Sequence, residues 1–489
     1  MRTQSARVLT PGSFKDVRLE PHLLKVQAYF DSIAADRHRW KRKNGYYYKK
    51  ITDYYRFFVP EGSRVLEVGS GDGNLLAALK PSLGVGVDAS PRFVDIARRN
   101  HPELEFAHDF AEIMEIDDKF DYVILSNLVG YLDDVQKVFE NLRKVSKPST
   151  RIIIDYYNYL WEPVLRAGSR LGLRMKENVQ NWLSLDDLEN LLRISGFDVI
   201  GRSKKLIFPL YLPFVSEIVN RVFSNLPLFN KLCLVHFIIA RPDVKEPREN
   251  LSVSIIVACK NEKGNIEELV RRLPEFPSGM EVVCVDGHST DGTRGELERV
   301  RDLFPQKNIK IFDQTGPVGK GNAVRIAFEK ATGDVFIILD ADISVAPEDT
   351  IKFYDLLVLG RGEFINGTRL VYPMEKEAMR FLNILGNKFF SCAFTFLLGQ
   401  RIKDTLCGTK AFYRKDYQKI AKNRAYFGDF DPFGDFDLLF GAAKLNLKLV
   451  EVPVRYYERR YGSTKIHRFR HGLLLLGMCF IAMRRLKFV

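Results

Sequence analysis

Three absences narrow this chain of 489 residues before any motif is considered. Its six cysteines have no paired spacing, so a disulfide framework is not expected. Cys233, Cys259, Cys284 and Cys479 sit in apolar runs and read as buried free thiols of a reducing compartment. The N-terminus, Met1 to Lys15, is polar and has no apolar signal core, which argues against secretion. No stretch reaches the ~18–20 apolar residues of a membrane-spanning helix. The expected location is therefore cytoplasmic. Short repeats and low-complexity tracts are also missing. What is present is ample core, with 46% hydrophobic residues, and a net charge of +13. That charge favours acidic partners: nucleotides, phospholipid head groups or nucleic acid.

A polar stretch with two prolines, Arg241 to Asn250, separates two segments that each begin an α/β pattern. Residues 1–240 are expected to form one domain with its core at about 40–240, 241–250 a linker, and 251–489 a second domain. The basic, aromatic stretch Arg37 to Arg56 reads as an amphipathic helical lead-in. Next, Arg64-Val-Leu-Glu-Val-Gly-Ser-Gly-Asp-Gly-Asn74 reads as a strand, a glycine-rich turn and a helix over Leu75 to Leu79. Glycines let a backbone approach a ligand at the carboxyl end of a strand. Gly84-Val-Gly-Val-Asp88 is a second strand ending in an acid that can accept hydrogen bonds from ribose hydroxyls.

The spacing Gly69-x-Gly71-x-Gly73, with Glu67 two residues ahead, resembles class I S-adenosylmethionine-dependent methyltransferases. His108-Asp109-Phe110, the strand Phe120 to Asn127 and the segment Leu185 to Val199 fit the same family. The resemblance implies Glu67, Gly69, Gly71, Asp88 and Asp109 as contacts of S-adenosylmethionine. It does not reveal the methyl acceptor, and no Asn-Pro-Pro-Tyr-type motif is present. The opposing reading is a fold kept only as a docking scaffold. Tyr131 and Asp155 are candidates for the mouth of the site.

In the second half, the apolar run Val335 to Leu339 leads into Asp340-Ala341-Asp342, two carboxylates at the end of a buried strand. Such a pair is costly to leave uncompensated, and a divalent cation shared with substrate phosphates is a natural partner. Two further strands end in polar residues, at Asn261-Glu262 and at Asp286. Gly316-Pro-Val-Gly-Lys-Gly321 adds a flexible loop with one cation, Lys320, suited to a phosphate or base, and a helix over Asn322 to Lys330 follows. Asp291 reads as a cap of the helix starting near Thr293.

These motifs, in this order, resemble family-2 inverting glycosyltransferases over about 250–470. The fold class expected is therefore α/β with two Rossmann-like domains, a class I methyltransferase fold followed by a glycosyltransferase fold of GT-A type. The resemblance implies Asn261, Glu262, Asp286, Lys320 and Asp340 around the donor nucleotide. It implies Asp342, with Asp340, as holder of Mg²⁺ or Mn²⁺ on the diphosphate. A metal there neutralises charge building on the leaving group.

Ile402 to Arg414, with Thr409 and Lys410, looks like the acceptor loop of polyprenyl-phosphate glycosyltransferases such as dolichyl-phosphate mannose synthase. The interval to Glu451-Val-Pro453 places the acceptor-site acid at Asp437, with Asp435 next. Arg459, Arg460 and Lys465 gather charge for an acceptor phosphate or the departing diphosphate. The helices expected over Phe381 to Leu398 and Gly472 to Met483 carry apolar faces. The second has basic flanks, and both suit either a core or a peripheral contact with a bilayer surface. The leading expectation is hexose transfer from a nucleotide-diphosphate sugar to a polyprenyl phosphate. Transfer to a sugar or lipid hydroxyl of a glycan is the alternative. Nucleic-acid binding would explain the charge alone and is not expected.

Overall fold

The computed structural model describes residues 21–175, 183–244, 248, 250–369, 381–426, 434, 436–457, 459, 461 and 468–487. Two compact units divide the chain, the first ending at Asp243 and the second spanning Val244–Lys487. Each is built on its own seven-stranded sheet.

The first sheet comprises β1 (Arg64–Val68), β2 (Leu83–Asp88), β3 (Glu105–His108), β4 (Phe120–Ser126), β5 (Ser146–Tyr157), β6 (Phe197–Lys205) and β7 (Val235–Pro242). Its order is β3-β2-β1-β4-β5-β7-β6. The first five strands run parallel, and β7 runs antiparallel to β5 and β6. Val65, Leu66, Val85, Ile124 and Ile153 are fully buried, as expected of strands covered on both faces. β7 continues through Arg241 and Pro242, into the stretch read as linker. Arg241 is wholly buried there and pairs with Asp198 at 3.4 Å.

Two helices precede β1: α1 (Pro21–Lys43) and α2 (Gly45–Phe58). Tyr47, Ile51, Tyr54, Tyr55 and Phe58 of α2 fall at helical spacing and are buried, so the lead-in is part of the core. The glycine-rich turn opens a short helix, α3 (Asn74–Ala78), and β2 leads into α4 (Pro91–Asn100), capped by Ser90.

The second sheet comprises β8 (Val253–Cys259), β9 (Met280–Asp286), β10 (Ile309–Asp313), β11 (Val335–Ile338), β12 (Phe364–Thr368), β13 (Lys410–Tyr413) and β14 (Leu449–Pro453). Its order is β10-β9-β8-β11-β13-β12-β14. β8 to β11 are parallel, and β13 inserts antiparallel between β11 and β12. Consequently the carboxyl ends of β8, β9 and β11 share one rim, where open α/β sheets bind ligands. All six cysteines are free, and Cys392 alone is exposed. No helix among the described residues is long and apolar enough to cross a membrane.

Candidate active sites

In the first unit, the carboxyl ends of β1, β2 and β4 open on a cavity of about 310 Å³. Glu67, Gly69, Gly71, Asp88 and Asp109 all line it, so the structure brings the sequence-read set together. Gly69 and Gly71 have φ of +77° and +54°, a region only glycine enters freely. A Cβ on Gly69 would lie 2.8 Å from Leu128 Cδ1. The Asp88 carboxylate accepts the Gly71 N–H at 2.8 Å and the Ser90 N–H at 2.9 Å, which fixes the turn. Burial raises the Asp88 carboxyl against those bonds. Asp109 accepts the Phe110 N–H at 2.7 Å, and burial pushes its carboxyl up to about 6.

Glu67 is the unusual member. It is 3% exposed, and its Oε2 has no hydrogen-bond partner. Burial pushes the carboxyl up to about 8, with Lys41 only partly opposing. A buried acceptor left unmatched beside a cavity is suited to a polar ligand.

The sequence reading missed the opposite wall. Lys41, Tyr47, Tyr48, Ile51 and Thr52, from α1 and α2, line the cavity with Tyr131 and Tyr157. Lys41 Nζ pairs with Asp72 of the glycine-rich turn at 2.5 Å, and Phe30 meets Tyr131 edge-on at 5.1 Å. The signal available was the helical spacing of aromatics over 47–58. Tyr131 lines the cavity. Asp155 does not line it; it is buried and accepts the Tyr55 hydroxyl at 2.6 Å.

In the second unit, Asp340 and Asp342 follow β11. Lys320 Nζ lies 2.6 Å from Asp340 Oδ1, and Arg459 lies 2.5 Å from Asp342 Oδ2. Burial raises the Asp340 carboxyl, but Lys320, then Lys410 and Arg369, outweigh it and hold it below the usual range. Asp342 Oδ1 accepts the Ser344 N–H at 3.0 Å across Ile343, whose φ is +54°. A β-branched residue there is strained, at a cost of order 1–3 kcal/mol. Gly408 has no room for a side chain: a Cβ would overlap Asp340 Oδ2 and lie 2.7 Å from Lys320 Nζ.

Arg459 also reaches Glu262 Oε1 at 3.2 Å and so joins the end of β8 to Asp342. Asn261, at φ +53°, accepts the Thr290 N–H at 2.8 Å. Asp286 accepts the Ser289 N–H at 3.1 Å, while its buried Oδ1 has no hydrogen-bond partner. Asp291 serves structure, accepting the Thr293 N–H and hydroxyl at 3.0 and 2.6 Å.

Lys410 is fully buried at the start of β13, its Nζ on the Cys407 carbonyl. The neighbouring Thr409 hydroxyl is buried without a hydrogen-bond partner. Arg369, which the sequence reading did not single out, forms a two-pronged pair with buried Asp404 at 2.7 and 2.8 Å. Its one sequence signal is its place directly after β12. Asp437 lies in the first turn of the helix Phe436–Lys444, between Arg424 at 3.3 Å and Arg325 at 3.5 Å. Asp435, Arg460 and Lys465 lie outside the described residues. No cluster of three or more His, Cys, Asp or Glu side chains suited to a metal occurs among the described residues.

The two sheets define an α/β protein of two units. Residues 40–201 match the methyltransferase domain model, and residues 254–420 match glycosyl transferase family 2. Glycosyltransferase AglJ of Haloferax volcanii is 30% identical over 236 residues, covering 48% of this chain and 71% of that protein. The dolichol-phosphate mannosyltransferase of Pyrococcus furiosus is 29% identical, covering 44% and 59% respectively. A solved S-adenosylmethionine-dependent methyltransferase of Thermotoga maritima is similar at 17% identity and a TM-score of 0.35, covering 44% of this chain and 99% of that one. The chain belongs to glycosyl transferase family 2 and carries a methyltransferase domain ahead of that region.

Proposed function

We propose that the second unit is a metal-dependent, inverting glycosyltransferase. It would move a hexose from a nucleotide-diphosphate sugar to a polyprenyl phosphate, and the first unit would methylate with S-adenosylmethionine. In domain terms, the first unit, through Asp243, would be the methyltransferase, and the second, from Val244, the glycosyltransferase. The observation that carries the reading is the rim of the second sheet. Two carboxylates, Asp340 and Asp342, stand there with Lys320 and Arg459 held against them.

Two carboxylates without a third protein ligand among the described residues suit a cation that shares its remaining positions with phosphate oxygens. Asp342, with Asp340, would hold Mg²⁺ or Mn²⁺, which when bound supplies charge neutralisation to the leaving diphosphate. Lys320 and Arg459, paired with these carboxylates, would exchange a carboxylate oxygen for a phosphate oxygen. Asp286, through its unmatched Oδ1, and Asn261 and Glu262 would surround the nucleotide. Arg459, with Arg460 and Lys465, would meet the acceptor or departing phosphate, whereas Thr409 and Lys410, read as acceptor contacts from the sequence, are wholly buried. A phosphate acceptor is already ionised at neutral pH and needs no base. That agrees with Asp437 between two arginines, a site for orienting charge; Asp435 is assigned beside it.

Peripheral membrane contact is part of the reading. Phe389 and Phe396 on the helix Phe381–Leu398 are exposed, as are Leu474 and Phe480 on the helix Arg468–Ala482. For the first unit, the unmatched Glu67 Oε2 and the open glycine turn fit S-adenosylmethionine, which when bound supplies an electrophilic methyl group. Asp88 would hold the ribose and Asp109 the adenine.

The test is release of nucleotide diphosphate from a panel of UDP- and GDP-sugars with Mn²⁺. Asp342→Ala should abolish release while the protein stays folded. Release at the wild-type rate by the variant would refute the assignment. Calorimetry with S-adenosylmethionine tests the first unit separately, and no heat at millimolar ligand would leave it a scaffold.

A further inference from the structure

Between β6 and β7 the first unit makes an excursion over 206–234 that is inside out. The helix Val215–Arg221 buries Ser216 and Asn220, and the turns after it bury Ser224 and Asn225. The outward positions are apolar: Leu212, Ile218, Val222 and Leu232 are exposed, and Phe214 and Leu228 are 84% and 82% exposed. A helix facing water has the opposite arrangement.

The buried polar side chains serve the excursion's own backbone. Ser216 Oγ accepts the Leu212 N–H at 2.6 Å and donates to the Leu210 carbonyl at 2.7 Å. Asn220 accepts the Phe208 N–H at 2.8 Å and donates to the Phe208 carbonyl at 2.7 Å. Asn225 and Asn230 donate to the carbonyls of Arg221 and Ser224 at 2.9 and 2.7 Å. Backbone groups satisfied from within, under an apolar exterior, are what a hydrocarbon environment requires.

Charge points the same way. Of the four basic residues from Lys204 to Lys231 only Lys205 is buried, and the one acid, Glu217, is tied to Lys50 at 2.9 Å. Trp161 Nε1 donates to the Leu232 carbonyl at 2.8 Å. This bond brings in the neighbouring helix Glu162–Arg170, with exposed Val164 and Arg170, while Arg166 pairs with Glu162. Apolar side chains rimmed by cations match an anionic lipid surface.

We propose that this face seats the first unit on an anionic bilayer. Phe214 and Leu228 enter the acyl boundary, and Arg221 and Lys231 meet the head groups. The inference stands on the first unit alone and goes beyond glycosyl transfer, which nucleotide release tests separately.

The experiment uses the full chain and vesicles of phosphatidylglycerol with phosphatidylcholine, against phosphatidylcholine alone. In Phe214→Trp, the emission added over wild type should be quenched by lipids brominated in the acyl chain, and only with the anionic vesicles. The double variant Phe214→Asp/Leu228→Asp should weaken vesicle partitioning at least about tenfold. Its melting temperature should not change. Unquenched emission from the introduced indole on vesicle-bound protein would overturn the proposal, because the chain would then bind through another surface. So would self-association abolished by the double variant with vesicle binding intact, which would make the face a protein interface.

Discussion

Glu67→Gln should stabilise the ligand-free protein at alkaline pH. The native carboxyl, pushed up to about 8 by burial, lies well above the ~4.3 of an unfolded chain. Between those values the folded state keeps a proton that the unfolded state has released. Stability therefore falls as pH rises through that window, and the whole loss is reached above about pH 8. Every tenfold difference in proton affinity between the two states corresponds to about 1.4 kcal/mol, so the ceiling is near 5 kcal/mol, and partial relaxation of the site leaves about 2–5 kcal/mol. Glutamine has the same shape and no charge to desolvate. For a domain of this size, ~1 kcal/mol moves the melting temperature by about 2–4 °C. The variant should therefore melt about 5–15 °C above wild type at pH 8.5 and close to it at pH 5. Thermal melts of the full chain across pH 5–9, followed through the first unit's transition, make the comparison. The same substitution should weaken S-adenosylmethionine binding in calorimetry, marking a residue kept for function at a cost in stability. Parallel melting temperatures for the two proteins at every pH would refute the reasoning.

The second unit yields two further expectations. Gly408→Ala drives a methyl group between Asp340 and Lys320, and a displacement of about 1 Å there should lower nucleotide release about 10²-fold. Steady-state release assays check this, and a wild-type rate would contradict it. Asp404→Asn leaves Arg369 buried without its counter-charge and should destabilise the unit by about 3–5 kcal/mol. The midpoint of urea unfolding reads that loss.

What the sequence made legible was local. Apolar runs that end in an acid marked the carboxyl ends of β2 and β9 and the approach of β11 to Asp340, and a glycine-rich turn marked the end of β1. Residues close in sequence and alternating with glycine carried Glu67, Gly69, Gly71 and Asp88 to one cavity. What stayed hidden depends on contacts distant in sequence. Arg459 bridges Glu262 and Asp342, and no spacing rule joins residues so far apart. Arg369 and Asp404 look ordinary until β12 and the loop before β13 bring them together. The same holds for Asp437, whose arginine neighbours come from two other helical segments. The excursion before β7 escaped notice for another reason. Its Ser and Asn residues break the apolar run into short pieces, and only the burial of those polar residues reveals which side faces outward.

The central claim is that the carboxylate pair at the rim of the second sheet couples a divalent cation to a nucleotide diphosphate. Titrating UDP and GDP into the full chain, with and without Mn²⁺, measures that coupling without any acceptor. At least one nucleotide should bind about tenfold or more tightly with the metal, and Asp342→Asn should remove the difference. Affinities indifferent to Mn²⁺ in the wild-type protein would contradict the account.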